Sequence, residues 1–145
     1  MKLFLLRHGE AQDSHTSDFY RPLTARGREQ ATNRAEQLVL EGIRPGVIIH
    51  SPRVRAVETA SYIMEKFPDV PTLELTEVID ADRALFDIIR ASSLLDPIIV
   101  GHNPTISELA SSLAGERIHF RTCSFAAFDV DKYPPNKATL SRFYL

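Results

Sequence analysis

The sequence predicts an α/β fold: a three-layer α/β/α sandwich with a mostly parallel sheet and an antiparallel edge. Three observations predict it. Short apolar runs alternate with amphipathic stretches from the N-terminus to about Gly115, the pattern of repeated strand–helix units. The runs at Lys2–Leu6, Val47–Ile49 and Pro97–Val100 are apolar at successive positions, as in parallel strands covered on both faces. Beyond Gly115 no helix separates the apolar segments Ser124–Val130 and Thr139–Leu145, so at least one pairing there is antiparallel.

The elements follow in order. Lys2–Leu6 is a buried strand, and the polar and aromatic residues Asp13–Arg21 form a loop. Thr24 caps a helix running to about Glu41, with Ala31, Ala35, Leu38 and Val39 as its buried stripe and Gly42 ending it. Val47–Ile49 is the second strand. Ser51-Pro52 then opens a helix, with Val54, Val57, Ser61 and Met64 near one face and Phe67-Pro68 at its close. Leu73–Leu75 is a short strand. Ala81 to about Ala91 is a helix with Leu85, Ile88 and Ile89 inward. Pro97–Val100 is the third buried strand. Asn103-Pro104 repeats the cap-then-proline opening, and Ile106, Leu109, Ala110 and Leu113 form the stripe of the helix that follows. Pro134-Pro135-Asn136 turns the chain between the last two strands.

A chain of 145 residues, 43% hydrophobic and 25% charged, suits a single globular domain over residues 1–145. The net charge of −2 argues against a general nucleic-acid binder, which needs a basic surface. No apolar run approaches bilayer-spanning length, and the apolar start is too short for a signal peptide, since Arg7-His8 ends it. These readings leave no nucleic-acid or membrane partner. Cys123 is the only cysteine, so no intrachain disulfide exists and a cytoplasmic location is the expectation.

In parallel sheets ligands bind at the carboxyl ends of the strands. Arg7 and His8 follow the first strand. His50 and Ser51 follow the second, with Arg53 and Arg55 in the next turn. His102 and Asn103 follow the third. Arg21, in the loop after the first strand, can reach over the same place. Two imidazoles and several guanidiniums therefore converge on one sheet edge, where the helix openings at Ser51 and Asn103 also favour an anion. His15 and His119 read as hydrogen-bonded structural residues rather than catalysts, and Arg26, Arg28, Arg34 and Arg117 as helix-surface or loop charge. His50 divides evenly between a site residue and one packed beneath it.

Such a cluster suits a phosphoryl group. Guanidinium forks bind phosphate oxygens bidentately, and a neutral imidazole is a nucleophile. Phosphoryl transfer needs mainly positioning and charge stabilisation. The sequence has no Gly-rich run ending in Gly-Lys-Ser/Thr and no zinc-ligand spacing.

These residues carry a family pattern. Leu6-Arg7-His8-Gly9-Glu10, the run Ser51-Pro52-Arg53-Val54-Arg55-Ala56-Val57-Glu58-Thr59-Ala60 and Val100-Gly101-His102-Asn103-Pro104 together resemble the histidine phosphatase superfamily, also called phosphoglycerate-mutase-like. Arg21-Pro22-Leu23-Thr24-x-x-Gly27 resembles its SixA-type phosphohistidine phosphatase branch. The resemblance implies a phosphoglycerate-mutase-like fold and a two-step hydrolysis through a phosphohistidine on His8. It further implies that Arg7, Arg55 and His102 hold the phosphoryl oxygens, that Arg21 and Asn103 assist binding, and that no metal or other cofactor is needed.

The leaving group decides whether a proton donor is required. Imidazole departs with a conjugate-acid pKa near ~6.5, whereas an alkoxide is far more basic and needs an acid. Larger members of the superfamily use the Glu of a Leu-x-Glu segment. Leu75-Thr76-Glu77 fits that place, and Asp80 and Asp82 compete with it as donors or as helix caps. Short segments between the motifs leave the site open, which favours a phosphorylated protein such as a phosphotransfer domain over a small phosphate ester. A small-molecule phosphomonoesterase and an idle phospho-binding module are the alternatives; the second has no use for His8. A mutase is disfavoured by the short chain.

Overall fold

The computed structural model describes residues 1–13 and 17–145, so His15 lies outside the described residues. The elements run β1 (Lys2–Arg7), α1 (Ala25–Leu40), β2 (Val47–His50), α2 (Val54–Lys66), β3 (Thr72–Glu74), α3 (Arg83–Ser92), β4 (Pro97–Gly101), α4 (Thr105–Ala114), β5 (Phe125–Val130) and β6 (Ala138–Tyr144). Single 3-10 turns occupy Asp18–Tyr20 and Thr76–Val78.

The sheet order is β3-β2-β4-β1-β5-β6. The first four strands are parallel, while β5 pairs antiparallel with β1 and β6 with β5. The antiparallel edge thus follows directly from the missing crossover helix. Register sets the site. Arg7 lies opposite Gly101, and His50 opposite Val100, so β1, β4 and β2 end level with one another.

Alternation along the strands divides the core. Leu3, Leu5, Val47, Ile49 and Ile99 pack on one face with Leu85, Phe86 and Ile89 of α3 and Ile106 and Ala110 of α4. Phe4, Leu6, Ile48, Ile98 and Val100 pack on the other with Ala35 and Leu38 of α1 and Ala56, Ala60 and Ile63 of α2. Each central strand is apolar at every position because both of its faces are covered.

Several local expectations are corrected. Val39 is about half exposed, so the α1 stripe ends at Leu38. The buried face of α2 is Arg55, Ala56, Thr59, Ala60 and Ile63, not Val54, Val57, Ser61 and Met64. Small Ala56 and Ala60 face the core, and Arg55 and Thr59 are drawn toward the end of β1. One residue of offset turns a helix face by about 100°. Neither Ser51 nor Asn103 caps a helix: α2 opens at Val54 and α4 at Thr105, with no side-chain cap bond in either. Both polar side chains have other partners, described below. The third helix begins at Arg83 rather than Ala81, because Asp82 caps it by accepting from the Ala84 N–H at 3.0 Å. Arg34 is not plain surface charge: it donates to the Cys123 carbonyl at 2.8 Å and lies over the Tyr144 ring. Among the described residues no helix is long and apolar enough to cross a membrane.

Candidate active site

His8 sits one residue past β1, where its N–H donates to the Gly101 carbonyl at 3.1 Å. The next residue must be small. A Cβ on Gly9 would lie 2.7 Å from the Gly27 carbonyl oxygen, and one on Gly27 only 2.1 Å from that of Glu10. This close approach lets the first turn of α1 lean on the loop behind His8. Gly9 then donates its N–H to Thr59 Oγ1 at 3.0 Å, and Thr59 donates to the Arg55 carbonyl at 2.7 Å. Thr59 lies one helical turn beyond Arg55, so a single face of α2 both braces the loop and delivers the guanidinium.

Two contacts determine the tautomer of His8. Its Nδ1 is 2.6 Å from the Gly9 carbonyl oxygen, which only accepts, so Nδ1 carries the proton. Arg55 Nε, which only donates, is 3.3 Å from Nε2, so Nε2 holds a lone pair. Burial pushes the His8 pKa down to about 4; the Gly9 carbonyl opposes this, and the cationic Arg55, Arg7 and Arg21 reinforce it. His8 is therefore neutral at physiological pH with Nε2 as its reactive nitrogen.

Arg7 leaves β1 toward the other face, where its Nη1 donates to the Phe120 carbonyl at 3.1 Å. His102 is buried with its ring 5.1 Å from that of His8, and its Nε2 pairs with Ser51 Oγ at 2.7 Å. Burial first, then the nearby His8 and Arg55, pushes the His102 pKa down to about 3. Arg7 Nε and His102 Nδ1 are buried with no hydrogen-bond partner among the described residues. Buried polar atoms without partners are costly, and at a cationic pocket an anion's oxygens are the natural occupants. His50 belongs beneath the site: it is buried and donates from Nδ1 to the Ser51 carbonyl at 2.9 Å, holding the serine that meets His102.

The loop after β1 is pinned at its base. Ala11 and Leu23 form an antiparallel bridge, and Gln12 N–H donates to the Pro22 carbonyl at 2.8 Å. The 3-10 turn therefore folds back over the pocket. Asp18 meets Arg55 Nη2 through Oδ2 at 3.1 Å and Arg21 Nη1 through Oδ1 at 2.9 Å, while its carbonyl accepts from Arg55 Nη1 at 2.8 Å. Arg21 is braced by donating from Nε to the Gln12 carbonyl at 2.6 Å. Its hydrogen bond with Arg21, and then that with Arg55, hold the Asp18 carboxyl below the usual range.

The family model described as histidine phosphatase superfamily (branch 1) matches residues 3–83, more than half of the chain. The chain belongs to this superfamily. It is 38% identical over 68 residues to the serine/threonine-protein phosphatase PGAM5 of Xenopus tropicalis, covering 47% of this chain and 24% of that protein. The chain thus spans about a quarter of that relative's length. It is 29% identical over 136 residues to the phosphohistidine phosphatase SixA homolog of Haemophilus influenzae, covering 81% of this chain and 79% of the other. Its fold is similar to that of a crystal structure described as the putative phosphohistidine phosphatase SixA from Agrobacterium tumefaciens. That comparison has a TM-score of 0.85 and 23% identity, and covers 99% and 97% of the two chains.

Within this member of the superfamily the structure gathers Arg7, His8, Arg55, His102 and Arg21 at one place. Asn103 is adjacent but committed: its Nδ2 donates to the Phe120 carbonyl at 2.8 Å and its Oδ1 accepts from Ser107. Glu77 is half-buried on the second 3-10 turn, where it accepts from Thr76 Oγ1 at 3.2 Å. Neighbouring Val78 approaches Gly101, which places this turn above the end of β4. Asp80 and His119 are exposed, and Asp82 is a helix cap. Three contributors escape the sequence reading. Thr59 sits inside a recognised motif, and its i+4 spacing from Arg55 was the available signal. Asp18 and the Phe120–Ser124 segment carry no periodic pattern. That segment holds the end of β1 from across the site: Cys123 N–H donates to the Arg7 and His8 carbonyls, each at 3.1 Å.

Proposed function

We propose that this phosphatase hydrolyses a phosphohistidine displayed on a protein, through a phosphohistidine formed on His8. One observation carries the chemistry: a neutral imidazole presents the lone pair of Nε2 inside a buried group of cations that includes orphaned donor capacity at Arg7. In the first step His8 Nε2 attacks phosphorus in line, and the bond from phosphorus to the leaving nitrogen breaks. The leaving ring carries a proton on its other nitrogen, so it departs as neutral imidazole with that electron pair. In the second step water attacks the phosphorus on His8, inorganic phosphate leaves, and the imidazole returns to its neutral form. Arg7, Arg55 and His102 hold the phosphoryl oxygens, with Arg21 at the outer edge. Asn103 contributes by fixing the Phe120 carbonyl, to which Arg7 is tied.

The leaving group supports this substrate, since imidazole departs without an acid. The likeness to a SixA homolog over most of both chains agrees with it. The partner is then a phosphotransfer-type protein domain and the setting cytoplasmic. A phosphate ester is the second reading, favoured by Glu77 on the turn above β4 and by the likeness to PGAM5 over 68 residues. A rate comparison tests the choice. Turnover of a phosphohistidine protein should exceed that of a panel of small phosphate esters at least a hundredfold (about 2.7 kcal/mol) in kcat/KM. Equal or faster ester turnover overturns the first reading in favour of the second.

A further inference from the structure

The resting state of Arg55 is unusual for a group expected to bind phosphate. Its Nε–H caps the His8 lone pair, its Nη1 meets the Asp18 carbonyl and its Nη2 meets the Asp18 carboxylate. The second oxygen of the same carboxylate holds Arg21. One carboxylate of the protein thus bridges the Arg55 and Arg21 guanidiniums. The Arg55 side chain is only 7% exposed and that of Asp18 58%, so the carboxylate enters from the solvent side.

We infer that Asp18 is the resting counter-ion of the phosphoryl pocket: its carboxylate holds the places on Arg55 and Arg21 that a phosphoryl group takes, and anchors Arg55 over the His8 lone pair until that group displaces it. The inference rests on the phosphatase reading above. A carboxylate offers two oxygens to two guanidiniums, as a phosphoryl group does, and a dianion beside it on the same cations would be repelled. Displacement also uncaps the nucleophile, because Arg55 freed from Asp18 can turn its donors to the incoming oxygens. The turn is suited to leaving. None of Asp18, Phe19 and Tyr20 is buried, and among the described residues the turn is secured, besides the Asp18 contacts, by the Ser17 cap and the bridge at Ala11–Leu23. The same exposed aromatics, Phe19 and Tyr20, ride on the turn at the rim of the site.

Asp18→Asn keeps the shape and removes the charge. Its Kd for inorganic phosphate and for vanadate should fall about three- to tenfold, as expected when an ion pair with one exposed partner stops competing. KM should fall by the same factor while kcat stays within about twofold, and Asp18→Glu should keep wild-type affinity. Unchanged or weaker anion binding in a folded Asp18→Asn protein overturns the inference, since a residue that merely positions Arg55 would lose affinity when altered. A second measurement uses the wild type. On saturation with phosphate the 15N resonances of Arg55 Nε and His8 Nε2 should shift together; an unmoved His8 Nε2 overturns the uncapping. Wild-type protein that binds neither anion defeats the phosphatase reading itself, and the counter-ion with it.

Discussion

Arg55 donates its Nε–H to Nε2 of His8 across 3.3 Å, so the nitrogen proposed to attack phosphorus is held neutral and covered by the cation proposed to receive the phosphoryl group. The contact reads out the protonation state of the nucleophile. An Arg cannot accept, and a protonated Nε2 could not face it. The positive neighbours and the burial that lower the His8 pKa to about 4 are thus the same features that orient its lone pair.

The first prediction concerns pH. An imidazole of ordinary pKa near ~6.5 is nearly all protonated at pH 5, whereas His8 at about 4 stays about nine-tenths neutral. The acid limb of kcat/KM, which reports the free enzyme, should therefore lie near pH 4 after allowing for the substrate's own ionisation near ~6. Stability follows with a definite sign. The folded pKa lies below the unfolded one, so the unfolded chain binds the proton first as pH falls. Stability is lost between about pH 6.5 and 4 and then levels. His8 alone should contribute about 2 kcal/mol of loss between pH 7 and 5, and His102 should act in the same direction. Urea denaturation at the two pH values checks this, and His8→Asn should flatten the difference.

A second prediction separates binding from chemistry. His8→Ala should reduce turnover at least about a thousandfold, because the Nε2 lone pair that Arg55 covers is lost. Vanadate should still bind, since Arg7, Arg21, Arg55 and His102 all remain. Measurable burst formation of a phosphoenzyme in that variant would remove His8 from the mechanism.

The legibility of this molecule in its sequence divides along the strand ends. The sheet, its antiparallel edge and the convergence of Arg7, His8 and His102 are all written in local order, because a short apolar run followed by a polar residue places that residue at a strand terminus. The stripe of α2 departs from its hydrophobic pattern for the opposite reason. Its buried face includes Arg55 and Thr59, which hydrophobic periodicity counts as outward, and only the requirements of the site turn them in. Asp18 was invisible because its role depends on the loop closing through Ala11 and Leu23, a pairing with no spacing signal. Local pattern makes Ser51 a helix cap; the pairing of its hydroxyl with His102 joins residues just past the ends of β2 and β4, 51 positions apart in sequence.

That hydroxyl supports a third prediction. Ser51 Oγ is the hydrogen-bond partner of His102 Nε2, while His102 Nδ1 has none among the described residues. Ser51→Ala leaves the buried ring without a polar tether, at a cost of about 1–3 kcal/mol. The ring should then reorient, and kcat/KM should fall about tenfold or more. Denaturation and steady-state rates measured on one preparation check both effects; a variant indistinguishable from wild type in each would show that the serine only terminates β2.

The fourth prediction sets helix propensity against packing. Gly27 lies in the first turn of α1, where alanine is favoured over glycine by about 1 kcal/mol. The added Cβ would sit 2.1 Å from the Glu10 carbonyl oxygen, a backbone atom that cannot rotate away. Overpacking of this kind costs about 1–3 kcal/mol or more, so the clash should win and Gly27→Ala should destabilise the fold. Because the contact lies behind His8, phosphate affinity should fall together with stability. A stabilised variant would mean that α1 can shift outward freely and does not brace the loop.

The last prediction concerns Glu77. The chemistry of the leaving group makes its role conditional. Release of an alkoxide needs a proton in the transition state, and a missing general acid costs about a hundred- to ten-thousandfold. Release of imidazole does not, so the same residue can matter for one substrate and not for another. Glu77 sits on the turn above β4, and Thr76 Oγ1 donates to its carboxylate. Glu77→Gln preserves that shape while removing the transferable proton. If Glu77 serves as an acid, the variant should lose its rate on alkyl phosphates by at least about a hundredfold and keep its rate on a phosphohistidine protein within about threefold. Leaving-group dependence sharpens the comparison: across esters of decreasing alcohol pKa the loss should shrink steadily toward that of imidazole. Equal, small losses on every substrate would assign Glu77 to the rim and leave the enzyme suited only to leaving groups that depart unaided.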